Sequence, residues 1–200
     1  MNRRLGVLIS GRGSNLQSIV DAIDNGRLDA EVAVVISNKQ GAQGLARARE
    51  AGIETVVLSH RDYPSRETFD LAVVDELRAR DVGLVCLAGF MRLLSPAFVS
   101  AFPNAILNIH PSLLPAFVGL DAQGQAWRYG AKVAGATVHI VTAELDNGPI
   151  VCQAAVEINE ADTAEMVTSR ILTVEHRIYP EAIKTMLDGR WRIEGRRFIS

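Results

Sequence analysis

Cysteine is scarce in this 200-residue chain: only Cys86 and Cys152, far apart in sequence and each inside an apolar run. That excludes a disulfide framework and a CxxC metal pair. Both read as small buried hydrophobes in a reducing, cytoplasmic compartment. Long apolar runs are also missing; none approaches the ~18 residues of a membrane span. The basic start, Met1 to Arg4, leads into an apolar run of only about four residues before Ser10, too short for a signal-peptide core. Positive charge is not in excess: 21 Lys and Arg face 23 Asp and Glu, for a net charge of −2. A nucleic-acid polymer is therefore not an expected partner, although a single phosphate ester is. No internal repeat, low-complexity segment or Pro/Ser-rich linker occurs. What is present is a composition with 48% hydrophobic and 22% charged residues in 21.7 kDa. A chain of this length buries roughly 70% of its unfolded surface on folding, which suits one domain over residues 1–200.

The apolar pattern alternates between strand and helix. Leu5–Ile9 reads as a buried strand that breaks at glycine. Over 14–23, apolar residues at 16, 19, 20 and 23 have helical spacing. Strands are expected over 32–36, 54–58, 82–88 and 106–109. A short helix over 44–51 should stop at Gly52. A longer helix should follow Ser65 to about Arg80, with Glu67 in its first turn. Such alternation implies βαβ units, right-handed crossovers and a Rossmann-like, doubly wound, mostly parallel sheet. After residue 130 the pattern changes. Runs over 135–142 and 150–158 are joined without room for a helix, which points to an antiparallel addition. A long late helix is expected over 163–187, then a small ribbon over 191–199.

The first strand runs into Ser10-Gly11-Arg12-Gly13-Ser14-Asn15 and then a helix. Amide N–H groups at a helix start attract phosphate, and glycine lets a ligand approach the main chain. The dinucleotide pattern is incomplete: Leu16 fills the third glycine slot. The second strand ends in Ser37-Asn38-Lys39, without the carboxylate expected of an NAD site. A phosphate monoester is thus preferred to NAD. A simple tight turn, with Ser14 or Asn15 as helix cap, accounts for the loop equally well.

Asn108-Ile109-His110-Pro111-Ser112-Leu113-Leu114-Pro115 ends the fifth strand, and open α/β sheets bind ligands at such ends. Strand alternation puts Asn108 and His110 on one face. Asparagine can donate an N–H to an oxyanion, and histidine can move a proton near neutral pH. His139, inside an expected strand, reads as a packing residue, and His60 as a surface loop residue. Asp146, in Leu145-Asp146-Asn147-Gly148-Pro149, reads either as a turn former or as a carboxylate that pairs with His110 and stabilises its imidazolium. Spacing alone does not choose. The GxSxG elbow, the Walker lysine, HExxH and Cys/His ligand sets are all missing. Direct transfer between two bound molecules remains, with no metal expected.

Taken in order, five segments resemble the phosphoribosylglycinamide formyltransferase family. They are residues 9–16, 88–92, 108–115, 145–149 and Glu175-His176-Arg177-Ile178-Tyr179-Pro180. The resemblance covers nearly the whole chain. It implies formyl transfer from 10-formyltetrahydrofolate, as co-substrate, to the amine of glycinamide ribonucleotide in de novo purine synthesis. It makes Asn108, His110 and Asp146 catalytic. It lays the ribonucleotide on Gly13, Ser14 and Asn15, bordered by Leu172, Thr173, Val174 and Glu175, with Glu175 holding the ammonium. It lays the folate along Met91, Arg92, Leu93 and Leu94, and along Thr142, Ala143, Glu144, Leu145 and Asp146, with Asn108 beside it and Arg66 nearby. The partners implied are small molecules, with neither nucleic acid nor membrane, in a monomer or homodimer.

Two segments depart from the family pattern. Ala116-Phe117-Val118-Gly119 lacks the proline often found before this glycine. Asp121-Ala122-Gln123-Gly124 has no basic residue, and Gly124 should loosen the helix that follows. Formyltetrahydrofolate deformylase and methionyl-tRNA formyltransferase resemble the same core. The former usually carries an added N-terminal domain, the latter a C-terminal tRNA-binding domain. A formyltransferase for another amine and a non-catalytic nucleotide-binding module are the remaining alternatives.

Overall fold

The computed structural model describes residues 2–200. Five strands run parallel: β1 (Arg4–Ile9), β2 (Glu31–Ser37), β3 (Thr55–Val57), β4 (Leu84–Leu87) and β5 (Ile106–His110). The connecting helices are α1 (Ser14–Asp24), α2 (Gln43–Glu50), α3 (Arg66–Arg78) and α4 (Pro96–Ala101). Next come α5 (Ala122–Tyr129), β6 (Val133–Ile140), β7 (Ile150–Glu157), α6 (Ala164–Asp188) and a ribbon, β8 (Arg192–Glu194) with β9 (Arg197–Ile199). One sheet takes in all of them, in the order β3-β2-β1-β4-β5-β6-β7-β9-β8. β6 is antiparallel to β5 and to β7. The ribbon joins through β9, which pairs with β7.

From β1 the chain winds outward to β3, then returns to place β4 on the other side of β1. Right-handed crossovers put helices of the two windings on opposite faces. The carboxyl ends of β1 and β4 therefore open a crevice between diverging connections. Burial follows: Leu5, Val7, Leu8 and Ile9 of β1 and all four residues of β4 are buried. Such strands read as continuous apolar runs rather than as alternation. β7 alternates between half-buried and exposed positions over most of its length, as expected for a strand covered on one face. The apolar stripe of α6 lies across β5, β6 and β7 and also meets α1.

Most expected elements are present, with differences at the ends. The third strand is only Thr55–Val57 and the fourth only Leu84–Leu87. The sequence reading missed α4, though its start is marked: the Ser95 hydroxyl accepts the Phe98 N–H and Pro96 opens the helix. Ser65 caps α3 as expected and shares a reciprocal box with Thr68. Neither Ser14 nor Asn15 caps α1. That place falls to Gly13, at φ 71°. The one-turn 3-10 helix at His60–Asp62 holds His60 half-buried, with its ring edge-on to Phe69, so it is not a free surface residue. Cys86 is buried, whereas Cys152 is only partly so. Gly124 does not prevent α5. A side chain there would meet the Asp121 carboxylate at 2.4 Å, so its absence lets that carboxylate fold over the helix start.

Candidate active site

Asn108 and His110 project from the carboxyl end of β5, and in the antiparallel ladder Asn108 faces His139 of β6. The Asn108 Nδ2 lies 3.2 Å from His139 Nε2. The other ring nitrogen of His139 sits 3.1 Å from the Ile140 carbonyl. A carbonyl only accepts, so Nδ1 carries the hydrogen and Nε2 offers a lone pair to the amide N–H of Asn108. Burial also lowers the affinity of His139 for a second proton. This neutral ring fixes the amide plane of Asn108 and leaves the second N–H of that amide for another acceptor. The packing role read for His139 from its strand position is therefore incomplete. Cross-strand pairing of β5 and β6, which single-strand alternation does not display, brings it into the cluster.

Asp146 closes the group from the β6–β7 connection. Its Oδ2 lies 3.5 Å from His110 Nδ1 and accepts the Gly119 N–H at 2.9 Å. Its Oδ1 is 3.8 Å from His139 Nε2. On the far side of the ring, His110 Nε2 meets the Phe117 carbonyl at 3.0 Å. Both nitrogens of His110 thus face acceptor oxygens. The Asp146 and His110 side chains are 8% and 6% exposed, so water screens their attraction little.

The Asp146 turn depends on a close approach. At Gly148 a Cβ would fall 1.6 Å from the carbonyl oxygen of Ile140, so no other residue fits without moving main chain. Arg196, in the terminal ribbon, donates to both the backbone and side-chain oxygens of Asn147 and braces the same turn.

On the other side of the crevice the glycine loop rests on the start of α2. A Cβ at Gly13 would meet Gly44 Cα at 2.5 Å, and the Gly44 N–H donates to the Gly11 carbonyl at 3.0 Å. The adjoining cleft, about 300 Å³, is lined by Ser14, Gln17, Arg27, Arg47 and His176 among others. Two arginines beside a helix start make it attractive to an anion.

Asn15 reaches across to α6, where its Nδ2 donates to Glu175 Oε2 at 2.7 Å. Burial pushes the Glu175 carboxyl up to about 7, against the opposing pull of the Asn15 bond and the Arg12 charge. Asn15 Oδ1 is buried without a partner, an acceptor available to a ligand's N–H or O–H. One turn further along α6, the Tyr179 hydroxyl meets the carbonyls of Leu87 and Leu107 at 3.0 and 3.2 Å. Glu175 is thereby held near the end of β5. Leu172 and Val174 are half-buried on the same helix, while Thr173 is exposed.

Loop 91–94 and loop 142–146 present apolar side chains in Met91, Leu93 and Leu145, all exposed. Leu94 is buried, and the Arg92 guanidinium sits 4.9 Å from the Phe69 ring centre. Arg66 is exposed one turn before Phe69 on α3, outside the Asn108–His110–Asp146 contacts. Thr142 is half-buried; Ala143 and Glu144 are exposed, and Glu144 accepts from Asn147. Among the described residues no group of three or more His, Cys, Asp or Glu could hold a metal ion. None of the described helices is long and apolar enough to cross a membrane.

Glu175 gives the first prediction. Its carboxyl binds a proton near pH 7 in the folded chain but at an ordinary 4.5 when unfolded. The native state therefore holds the extra proton between those values, and stability falls as pH rises through that window. Wild type should lose about 3 kcal/mol relative to Glu175→Gln on going from pH 5 to pH 8. Urea unfolding of both proteins at the two pH values measures it; parallel pH profiles would refute it.

The family model for formyl transferase matches residues 3–183. Over 192 residues the chain is 47% identical to the trifunctional purine biosynthetic protein adenosine-3 of Drosophila pseudoobscura pseudoobscura, covering 95% of this chain but 14% of that protein. The chain thus spans about a seventh of the length of such trifunctional relatives. It is also 47% identical, over 187 residues, to phosphoribosylglycinamide formyltransferase of Escherichia coli (strain K12), covering 94% of this chain and 88% of that one. The crystal structure of glycinamide ribonucleotide transformylase 1 from Symbiobacterium toebii superposes with a TM-score of 0.97 at 57% identity, covering 98% and 93% of the two chains.

Proposed function

The chain belongs to the formyl transferase family, and from that membership we propose that it transfers the formyl group of 10-formyltetrahydrofolate to the amine of glycinamide ribonucleotide, in de novo purine synthesis. The observation that carries this reading is the group formed by half-buried Asn108, buried His110 and half-buried Asp146 at the end of β5. It supplies two N–H donors and a carboxylate at one point, with no serine or cysteine among its members. The activity of the E. coli relative, as its name gives it, agrees with this.

The neutral amine attacks the formyl carbon, and a C–N bond forms as the carbonyl oxygen gains charge. The free amide N–H of Asn108 and an N–H of His110 stabilise that oxyanion. The new ammonium gives up a proton, through His110 or ordered water, to N10 of the folate as the N10–C bond breaks. Asp146 holds the imidazolium while this happens. His139 keeps the Asn108 amide turned so that it donates rather than accepts. The ribonucleotide phosphate lies on Gly13, Ser14 and Asn15, beside the cleft with Arg27 and Arg47. Leu172, Thr173 and Val174 border it, and Glu175 with Asn15 Oδ1 receives the amine. The folate lies on Met91, Arg92, Leu93 and Leu94 and on Thr142, Ala143, Glu144 and Leu145, whose exposed apolar side chains suit a flat aromatic ring. Arg66, exposed at the start of α3, belongs to the same reading as a residue near the folate. The substrates are small molecules throughout, and the compartment proposed is the cytoplasm.

The test follows folate absorbance with 10-formyltetrahydrofolate, with and without glycinamide ribonucleotide. Formyl loss should require the ribonucleotide. Loss at the same rate without it would make water the acceptor and the chain a deformylase. No loss in either case would point to a different amine.

A further inference from the structure

The glycine loop and loop 91–94 leave adjacent strands in opposite directions, and the β1–β4 ladder ends at Leu8 and Leu87. Beyond that pair, regular sheet bonding no longer holds the two loops together. One main-chain bond and one side chain take over, both from Ser10. The Ser10 N–H donates to the Gly89 carbonyl at 3.1 Å. Its hydroxyl accepts the Met91 N–H at 2.9 Å and donates to Asn38 Oδ1 at 2.6 Å. Asn38 follows β2, and its Nδ2 is 3.5 Å from His60 Nδ1. Ser10 and Asn38 are each only 5% exposed. Besides the main-chain bond to Gly89, one hydroxyl thus links the segments that follow β1, β2 and β4, directly before Gly11 and directly onto Met91.

We propose that Ser10 is a positioning residue that locks the ribonucleotide loop to the folate loop, so that amine and formyl carbon meet at one fixed separation. This rests on the two loops holding the two substrates, as in the preceding section. Without the hydroxyl, the part-buried Met91 N–H and the buried Asn38 Oδ1 lose their partner, and the folate loop can drift relative to the glycine loop. Small drifts matter, because transfer between two bound molecules depends on near-contact alignment. A serine that merely completed the core would lower the amount of folded enzyme and leave substrate affinity alone.

The experiment compares wild type, Ser10→Ala and Ser10→Thr by steady-state kinetics in both substrates and by amide hydrogen exchange at Met91. Ser10→Ala should raise KM for 10-formyltetrahydrofolate by about tenfold, the size of one lost hydrogen bond, and lower kcat as well. Ser10→Thr, which restores the hydroxyl, should recover most of both. The Met91 amide, protected in wild type, should exchange at least about tenfold faster in the alanine variant. A folate KM within twofold of wild type in Ser10→Ala would overturn the proposal, as would unchanged Met91 protection. The exchange readout needs no turnover. If wild type transfers no formyl group the functional reading falls, while Met91 exchange still decides whether Ser10 clamps the loop. Should the alanine variant not fold, Asn38→Leu, which removes the acceptor of the Ser10 hydroxyl, should give the same faster Met91 exchange. Unaltered exchange in that variant would count against the clamp.

Discussion

Asn108→Ala should lower kcat by about 10²–10³, the usual effect of removing one oxyanion donor. The amide lies opposite neutral His139, whose Nε2 lone pair holds one N–H and turns the other outward. Alanine removes the donor and keeps the strand, because Asn108 pairs in the ladder through its backbone. KM values should move little, since the lost interaction is made in the transition state rather than in the ground state. Asn108→Asp should be at least as damaging, because a carboxylate would set a negative charge beside the developing oxyanion. A kcat within a few fold of wild type in Asn108→Ala would remove this residue from the mechanism.

Gly148→Ala should be the most harmful single methyl in the chain. Its Cβ would fall 1.6 Å from the oxygen and 2.8 Å from the carbon of the Ile140 carbonyl, both main-chain atoms that cannot rotate away. Overpacking of this kind costs about 1–3 kcal/mol, which for a chain of this length lowers Tm by roughly 2–12 °C. Activity should fall further than stability. Asp146 is two residues away, and a misplacement of about 1 Å can reduce a rate on the order of 10²-fold. Gly41→Ala is the matched control, since a Cβ there meets nothing within 4 Å. It should change stability by no more than about 0.5 kcal/mol. Thermal melts and kcat on both variants test the pair. Equal melting temperatures would show that the turn can move aside.

The parallel half of the sheet was legible because its inner strands are almost wholly buried and appear as apolar runs. The change to antiparallel strands after residue 130 was legible because no helix fits between the two runs. Boundaries were less so: burial does not stop where pairing stops, so Val82 and Ala88 look like strand and lie outside it. α4 was hidden because six residues carry too little periodicity, although Ser95 and Pro96 mark its start. For the site, Asn108 and His110 could be placed on one face by alternation. His139 could not, because its importance comes from register across β5 and β6. Asp146 was undecided between turn and carboxylate, and in the structure it has both characters. It sits at φ 48° within the turn and faces two imidazoles. One of two readings of the glycine loop made Ser14 or Asn15 the helix cap, and Gly13 takes that place. Asn15 is instead drawn to Glu175, a contact 160 residues away in sequence that no local pattern reveals.

The departure at 116–119 has a thermodynamic side. With Phe117 at φ 52°, its carbonyl occupies the outer nitrogen of His110, while the Gly119 N–H rests on Asp146. In the proposed mechanism this carbonyl competes with the substrate for the same ring. Any molecule that uses that nitrogen binds only the fraction of chains in which Phe117 has swung away, and its apparent dissociation constant is the intrinsic one divided by that fraction. A first ligand that draws the segment aside removes this handicap for the second, so cooperativity between the two substrates can arise without any contact between them.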